Sequence, residues 1–526
     1  METCIQTGNE LFDSFFPRMR RFLEADVSEY ETGGRRVRGY ACPDGLPIWL
    51  RDHTHQMKGF KFFEKELQGA VGFFVDKQRP DGSLYDYIAP NGAVERVPCE
   101  ADVEYLLVEA VHTVWQATGD DAWMKKLLYP LERALVYSMS HPDRWSRAHQ
   151  LVKRPFTIDT WDFEYNPDGV YSFESFAEIN ANSSWCIMHG DNTGMYQSCL
   201  LLAKLYDHAG NPNGKADYWR QRAQRFRENV NKVCWNGRFL THQVHLDPVE
   251  VRGADEREQL SLSNAYALNR GILSPEQAVS VIEEYRRRRE ETRGRYFAEW
   301  FSIHPPFPDN SFYSNLNQRE TWTIREGEYV NGGVLPLVGG ELAKGAFENG
   351  YEDYGLDILR RYGEMIAKTG ETYLWYHPDG RPGISSETTK PTDGWGAAAM
   401  LSALMEGLAG IRDEHKLFER ARVAPRWAAA GVDAAKVTMG YAASGAGVEY
   451  EYRATPNRIT LRFRGTHCRG ARFHVLLPRN ACPAEVRINA TPIAFQATSV
   501  RHSAYVDCDS ADLAPGSECN VEVRLS

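Results

Sequence analysis

Three carboxylates fall within six positions at Asp159, Asp162 and Glu164, in the run Ile158-Asp159-Thr160-Trp161-Asp162-Phe163-Glu164-Tyr165-Asn166. Aromatic residues interleave them. A carboxylic acid held beside aromatic rings has its charged form disfavoured, which suits a proton donor. If the run is extended, Asp162 and Glu164 point one way and Trp161 the other. An acidic turn or a calcium-binding loop is the alternative, and the hydrophobic interleaving argues against a purely solvated turn. Two further acids, Glu387 and Asp393, sit in a late stretch that contains Trp375, Ser385–Thr389 and Asp393-Gly394-Trp395-Gly396. Glu387 lies in a polar run that also reads as an exposed turn, and Asp393 also reads as a helix N-cap. Carboxylates facing each other across a pocket are what acid-catalysed glycoside cleavage needs: one protonates the leaving oxygen, the other activates water or attacks.

Other stretches offer binding groups. Trp49-Leu50-Arg51-Asp52 places an aromatic before an Arg-Asp pair, and the pair can present a bidentate cation and an acceptor to vicinal hydroxyls. The alternative is a helix cap, with Arg51 paired to Asp52. Glu299-Trp300 precedes Arg325-Glu326-Gly327-Glu328-Tyr329-Val330-Asn331-Gly332-Gly333, where a Gly pair leaves room for close backbone approach. That segment also reads as a tight turn into a helix, with Glu328 favouring the helix dipole. His189-Gly190-Asp191-Asn192 supplies polar contacts or simply a cap. No GxSxG, GxGxxG after a strand or GxxxxGK[ST] is present. His53 and His55 lack a third ligand cluster, so no metal site is expected.

These residues need elements to position them. Apolar residues recur at helical spacing up to about residue 410, and the periodicity predicts about twelve helices. Their spans are 9–24, 53–61, 65–77, 100–118, 121–140, 191–209, 215–234, 258–270, 275–289, 332–349, 352–369 and 394–410. After the first helix the connections alternate. Long links run about 25–52, 78–99, 141–190, 235–257, 290–331 and 370–393, and the links between them are short. Short links join antiparallel neighbours, so all six long links emerge on one face. That is an (α/α)6 toroid with a site on one rim, and every candidate above lies on a long link or at its end. From about residue 416 the pattern switches to period two in VEYEYR (448–453), ITLRFRG (459–465), FHVLLP (473–478) and NVEVRLS (520–526). The expectation is a mainly α chain: a toroid over 1–415, then an antiparallel β-sandwich over 416–526 that packs against it.

Composition narrows the partners. The chain has 526 residues and a formal charge of −10, which argues against a nucleic-acid or anionic-membrane partner. Its hydrophobic fraction of 42% and charged fraction of 25% are those of an ordered globular protein. No apolar stretch is long enough to span a bilayer, and the N-terminus has no secretory pattern. Ten scattered cysteines without a CxxC pair suggest reduced thiols and a cytoplasmic location. Arg286–Arg289 is followed by Glu290 and Glu291, a solvated helix end.

The helical region resembles the six-hairpin glycosidases: glucoamylases, trehalases, processing α-glucosidases, α-L-rhamnosidases and related phosphorylases. IWLRD (48–52) is similar to the element that binds the non-reducing sugar in glucoamylase-like enzymes. DTWDFEYN (159–166) occupies the link where processing α-glucosidases and mannosylglycerate hydrolases keep their general acid, with Asp162 the match. EYVNGG (328–333) is similar to a substrate-lining segment of rhamnosidases and disaccharide phosphorylases, and TDGWGAAAMLSALMEGL (392–408) to a final-hairpin start. A trailing β-domain also occurs in α-L-rhamnosidases. One departure stands out: YLWYH (373–377), where the glucoamylase base would align, has no acid.

The resemblance therefore implies an exo-acting, inverting glycoside hydrolase on a short oligosaccharide or glycoside. Asp162 is expected as general acid with Glu164 as substitute, and Glu387 as base ahead of Asp393 and Glu328. Trp49, Arg51, Asp52, Trp161, Glu299, Trp300, Glu326, Tyr329, Asn331, Trp375 and Trp395 are expected around the sugar. No cofactor is expected, because two carboxylates suffice. A sugar phosphorylase of the same fold and a non-catalytic sugar-binding protein are the alternatives.

Overall fold

The computed structural model describes residues 1–43, 47–165, 179–314, 322–386, 388–510 and 512–526. Among these, twelve α-helices of eight residues or more precede residue 410. They are α1 (Phe15–Ala25), α2 (Leu50–Phe60), α3 (Gly69–Asp76), α4 (Val103–Thr118), α5 (Asp121–Ser138) and α6 (His189–His208). They continue with α7 (Lys215–Cys234), α8 (Ser263–Arg270), α9 (Pro275–Thr292), α10 (Pro336–Glu348), α11 (Glu352–Thr369) and α12 (Gly394–Ser402). The segment before Lys77 holds two helices, so the alternation of long and short links stands.

The even-numbered helices form a closed inner ring. Each of α2, α4, α6, α8, α10 and α12 packs on the next, and α12 returns to α2. Sequence explains which helices lie inside. Every residue of α12 is buried, as a helix apolar on all sides must be. By contrast α11 keeps one buried stripe, Leu356, Ile358, Leu359, Tyr362 and Ile366, and exposes its other face. Small residues set the inner spacing. A Cβ on Gly340 of α10 would lie 2.4 Å from the Ala399 carbonyl carbon of α12, so only glycine permits this approach. The last turn of the inner ring, Ala403–Leu408, widens to a π-helix.

The long links meet on one face and are stitched to one another. Ile48–Trp49 pairs with Tyr87–Ile88, joining the first two links. Trp185–Met188 pairs with Gln243–His245, and Leu260–Ser261 with Ile303–His304, joining the third, fourth and fifth. Val334 bridges Tyr376, and the Lys390 N–H donates to the Pro43 carbonyl, which closes the rim back to the first link.

The remaining chain forms two packed sheets. The strands are β1 (Cys4–Gln6), β2 (Ile411–Asp413), β3 (Arg420–Val423), β4 (Ala434–Gly440), β5 (Gly447–Thr455) and β6 (Arg458–Gly465). β7 (Gly470–Leu476), β8 (Pro483–Ile488), β9 (Gln496–Val500), β10 (Ser503–Ser510) and β11 (Glu518–Leu525) complete the set. One sheet runs β1-β4-β5-β6-β11-β8 and ends on Thr491–Pro492; the other runs β2-β3-β7-β10-β9. Two expectations need correction. The mainly α expectation is met only in part: helix is 38% and strand 25% of the structure described, because the rim links add short sheets to those of the β-domain. The sandwich is not wholly antiparallel either: β3 and β7 run parallel, since the chain visits the other sheet between them. The sheets dock on the short-link end of the toroid. There Tyr450 Oη donates to the Ala409 carbonyl, and Arg426 binds Glu348 at 2.9 Å.

Candidate active site

The site is built around α2. The Trp49 ring leans on Tyr87 at 4.4 Å, and Arg51 enters the first turn almost fully buried. Arg51 does not turn to Asp52. Its Nε and Nη2 bind Asp102 in a fork at 2.6 and 3.0 Å, and Nη2 also binds Glu100. Asp52 is buried beside it in the same turn. Glu100 and Asp102 stand at the start of α4, the neighbouring inner helix. Neither was singled out from the sequence, where both fall in the first turn of a helix over 100–118.

The acidic run of the third link is not extended. The Trp161 N–H donates to the Ile158 carbonyl, Thr157 bridges Glu164, and Asp159 takes a left-handed φ of 48°. The segment is a tight loop, so the strand argument that Asp162 and Glu164 share a face does not apply. Asp162 sits in the loop and is buried, whereas Glu164 is half-buried on a short strand paired to Phe312–Tyr313. Arg154 anchors the loop by donating to the Trp161 carbonyl at 2.6 Å. Asp159 anchors it again by accepting from Ser263 Oγ at 2.7 Å.

Burial pushes the Asp162 carboxyl above its usual range, although Arg51 and Arg154 pull the other way. Its neighbours differ. Glu100 is also raised by burial, whereas Asp102 is held low against burial by Arg51. Asp191, in the first turn of α6, is raised to about 6 by burial, with Arg154 3.7 Å away opposing it. Neither Asp191 oxygen has a hydrogen-bond partner among the described residues. Access separates the three raised acids. Asp162 keeps 6% of its residue surface, against 1% for Glu100 and 0% for Asp191, so it is the least enclosed of the three.

Aromatic rings gather around Trp161, the residue before Asp162. The Trp161 ring lies under the Arg51 guanidinium at 5.9 Å and against Tyr329 and Trp395 at 5.1 and 5.8 Å. Trp395 stacks on His55 at 4.9 Å and donates from Nε1 to Tyr266 Oη. Tyr329 in turn faces Trp375 at 6.1 Å, whose Nε1 donates to Ser385 Oγ. The structure thus brings together Arg51, Trp161, Asp162, Tyr329, Trp375 and Trp395 from the first, third, fifth and sixth links. It adds Glu100, Asp102, Arg154, His55 and Tyr266, and it brings in Asp191 of the His189–Asn192 run.

Other expected residues lie elsewhere. Glu299 is fully buried against the outer wall, bound to Arg361 at 2.8 and 2.9 Å and to Tyr354 Oη at 2.6 Å. Trp300 is core, with the Arg361 guanidinium over its ring. Asn331 clamps both backbone groups of Phe307. Glu326 is exposed, and Glu328 accepts the Arg325 N–H of its own turn. Asp393 caps α12, accepting from the Trp395 and Gly396 N–H groups at 3.1 and 3.0 Å. Glu387 lies outside the described residues. Among the described residues no three His, Cys, Asp or Glu side chains converge as metal ligands.

No family profile matches the sequence, and no curated protein does. Solved structures do. The α-L-rhamnosidase of Dictyoglumus thermophilum matches over 99% of this chain and 50% of its own, at 13% identity and a TM-score of 0.60. The Streptomyces avermitilis α-L-rhamnosidase complexed with L-rhamnose matches over 99% and 42%, at 13% identity and 0.59. The GH63 mannosylglycerate hydrolase of Thermus thermophilus matches over 74% of this chain and 99% of its own, at 13% identity and 0.51. The chain spans about half the length of the rhamnosidases it matches. At these identities the likeness is one of fold: a toroid of six helical hairpins with a β-domain.

Proposed function

We propose that the chain is a glycoside hydrolase that removes the terminal sugar of a short oligosaccharide or glycoside with inversion. The observation that carries this is Asp162: a carboxyl raised by burial, within the field of Arg51 and next to Trp161, whose ring meets Arg51, Tyr329 and Trp395 on the closed rim. It donates its proton to the leaving oxygen, with Glu164 as the substitute acid. Glu387 takes the proton from the attacking water. Asp393 and Glu328 rank behind it, since Asp393 already accepts two backbone N–H groups of its own turn and Glu328 one. Arg51, whose Nε–Nη2 edge is held by Asp102 and Glu100, keeps Nη1 for a sugar hydroxyl, and the Trp rings offer stacking faces. Inversion requires acid and base about 6.5–9.5 Å apart, so that water fits behind the anomeric carbon. The rim fold, closed by six links, favours chain ends over long polymers. The toroid, within 1–415, carries the chemistry, and 416–526, joined in its sheets by β1 and β2 from the first part, supports it. Ten cysteines without a disulfide go with a cytoplasmic location.

A panel of chromogenic glycosides, followed by NMR of the first anomer released, tests this. Release of one sugar with inverted configuration is expected. Binding without turnover across the panel contradicts it, and release of a sugar 1-phosphate only with added phosphate converts it to phosphorolysis.

A further inference from the structure

The loop that carries Asp162 is gripped by the link that follows it. His242 and Gln243 are consecutive, and Gln243 opens the short strand Gln243–His245. Gln243 Nε2 donates to the Thr157 carbonyl, and the Asp159 N–H donates to His242 Nε2 at 2.9 Å. Both contacts fall on the entry of the loop, and Asp159 stands three positions before Asp162. Asp159 needs holding, because its φ of 48° is left-handed, a conformation that a residue with a Cβ disfavours.

The grip depends on which nitrogen of His242 carries the hydrogen. An imidazole nitrogen that accepts an N–H is bare, so the hydrogen sits on Nδ1. Nδ1 faces Glu256 Oε1 at 3.5 Å, and neither atom hydrogen-bonds anything else among the described residues. The other oxygen, Glu256 Oε2, binds His245 Nε2 at 2.6 Å, which fixes the carboxylate in place. Burial works to raise Glu256, yet its hydrogen bonds with the two imidazoles hold it low, so an acceptor stands ready for the Nδ1 hydrogen. Each ring is also pinned edge-on by a phenylalanine, His242 by Phe307 at 5.7 Å and His245 by Phe156 at 4.5 Å. His242 has no exposed surface, so whatever it does for a substrate it does through the loop.

We propose that His242, kept in its Nδ1–H tautomer by Glu256, is a positioning residue for the glycosidase reaction: it holds the Asp159 N–H and so sets where Asp162 meets the leaving oxygen. The inference rests on Asp162 being the general acid. Without the acceptor, the Asp159 N–H is left buried and unpaired, which favours a shift of the loop. A displacement of about 1 Å at a reacting group is enough to cost about 10²-fold in rate.

Kinetics on two substrates of one sugar, an alkyl glycoside and a dinitrophenyl glycoside, test this. His242→Phe keeps a ring and removes the acceptor. Its kcat/KM should fall about 10–10²-fold on the alkyl glycoside and far less on the dinitrophenyl one, which needs little help from an acid. His242→Gln places an amide oxygen near the position of Nε2 and should restore most of the loss. If His242→Phe does not fold, Glu256→Leu, which leaves the tautomer unfixed, should show the same substrate preference at smaller size. Equal losses on both substrates, or no loss, in whichever variant folds overturn the proposal. A glutamine no better than the phenylalanine does the same. Asp162→Asn separates this from the reading beneath it. If Asp162→Asn selectively harms the alkyl glycoside and the His242 variants do not, the positioning role alone falls. If Asp162→Asn spares the alkyl glycoside, the acid assignment fails and the positioning role falls with it.

Discussion

Two clusters of buried charge sit in one toroid, and they are built oppositely. At the rim, Glu100, Asp102, Asp162 and Asp191 outnumber Arg51 and Arg154. On the axis below, every acid has a lysine: Glu341 and Glu109 face Lys58, at 2.6 and 3.9 Å, and Glu406 joins Lys61 to Lys344. Burial is similar, but its consequences differ. Burial works to raise Glu341 and Glu406, yet Lys58 and Lys344 overcome it and hold them low. At the rim burial wins for three acids of four. A matched set stays ionised and fixes helices; an unmatched set has its carboxyls shifted upward, the direction an acid catalyst requires.

The sharpest way to break this comparison is to remove the cation that organises the rim. Arg51→Leu leaves Glu100 and Asp102 facing each other without it, and should destabilise by about 3–5 kcal/mol at neutral pH. The loss should shrink toward pH 4, where the freed acids protonate. Chemical denaturation at both pH values measures it, and equal losses would show that the arginine acts through packing.

On the axis, Glu406→Gln leaves two lysines unpaired and should cost about 3 kcal/mol. Its pH–rate profile should match that of the parent, because Glu406 does not touch the rim. A displaced acidic limb would mean that the clusters are coupled.

A smaller effect isolates proton holding. Asp191 has its carboxyl raised to about 6 in the fold, from an ordinary 3.8. The folded state then binds the proton more tightly than the unfolded one. Its contribution is fully present below about pH 4 and is lost as pH rises through 6. Relative to Asp191→Asn, the parent should lose about 2–3 kcal/mol of stability between pH 4 and 7. Thermal melts across that range check it, and a constant difference would place the ionised form in a better solvated site.

The sequence shows how much of this is written locally. Helix spans were legible because periodic apolar faces end at Gly119, Gly271 and Gly370, and the spacing of long links foretold the ring. The β1 strand was not, because its partner β4 lies more than 400 residues away and three residues carry no pattern. The site was half legible. Trp161-Asp162 announced itself by aromatic flanks, but Glu299-Trp300 has the same local look and faces Arg361 on the outer wall. Which wall a link residue meets is decided by neighbouring helices. The same holds for Glu100 and Asp102, which become site residues only because α2 delivers Arg51 to them.

The central claim is that Asp162 supplies the proton to the leaving group. Its most direct test compares Asp162→Asn with the parent on two substrates of one sugar, an unactivated alkyl glycoside and a dinitrophenyl glycoside. An acid is needed only where the leaving group is poor. The expected result is a fall in kcat/KM of about 10²–10⁴-fold on the alkyl glycoside and far less on the activated one. Equal losses on both substrates, or near-normal turnover of the alkyl glycoside, would contradict it.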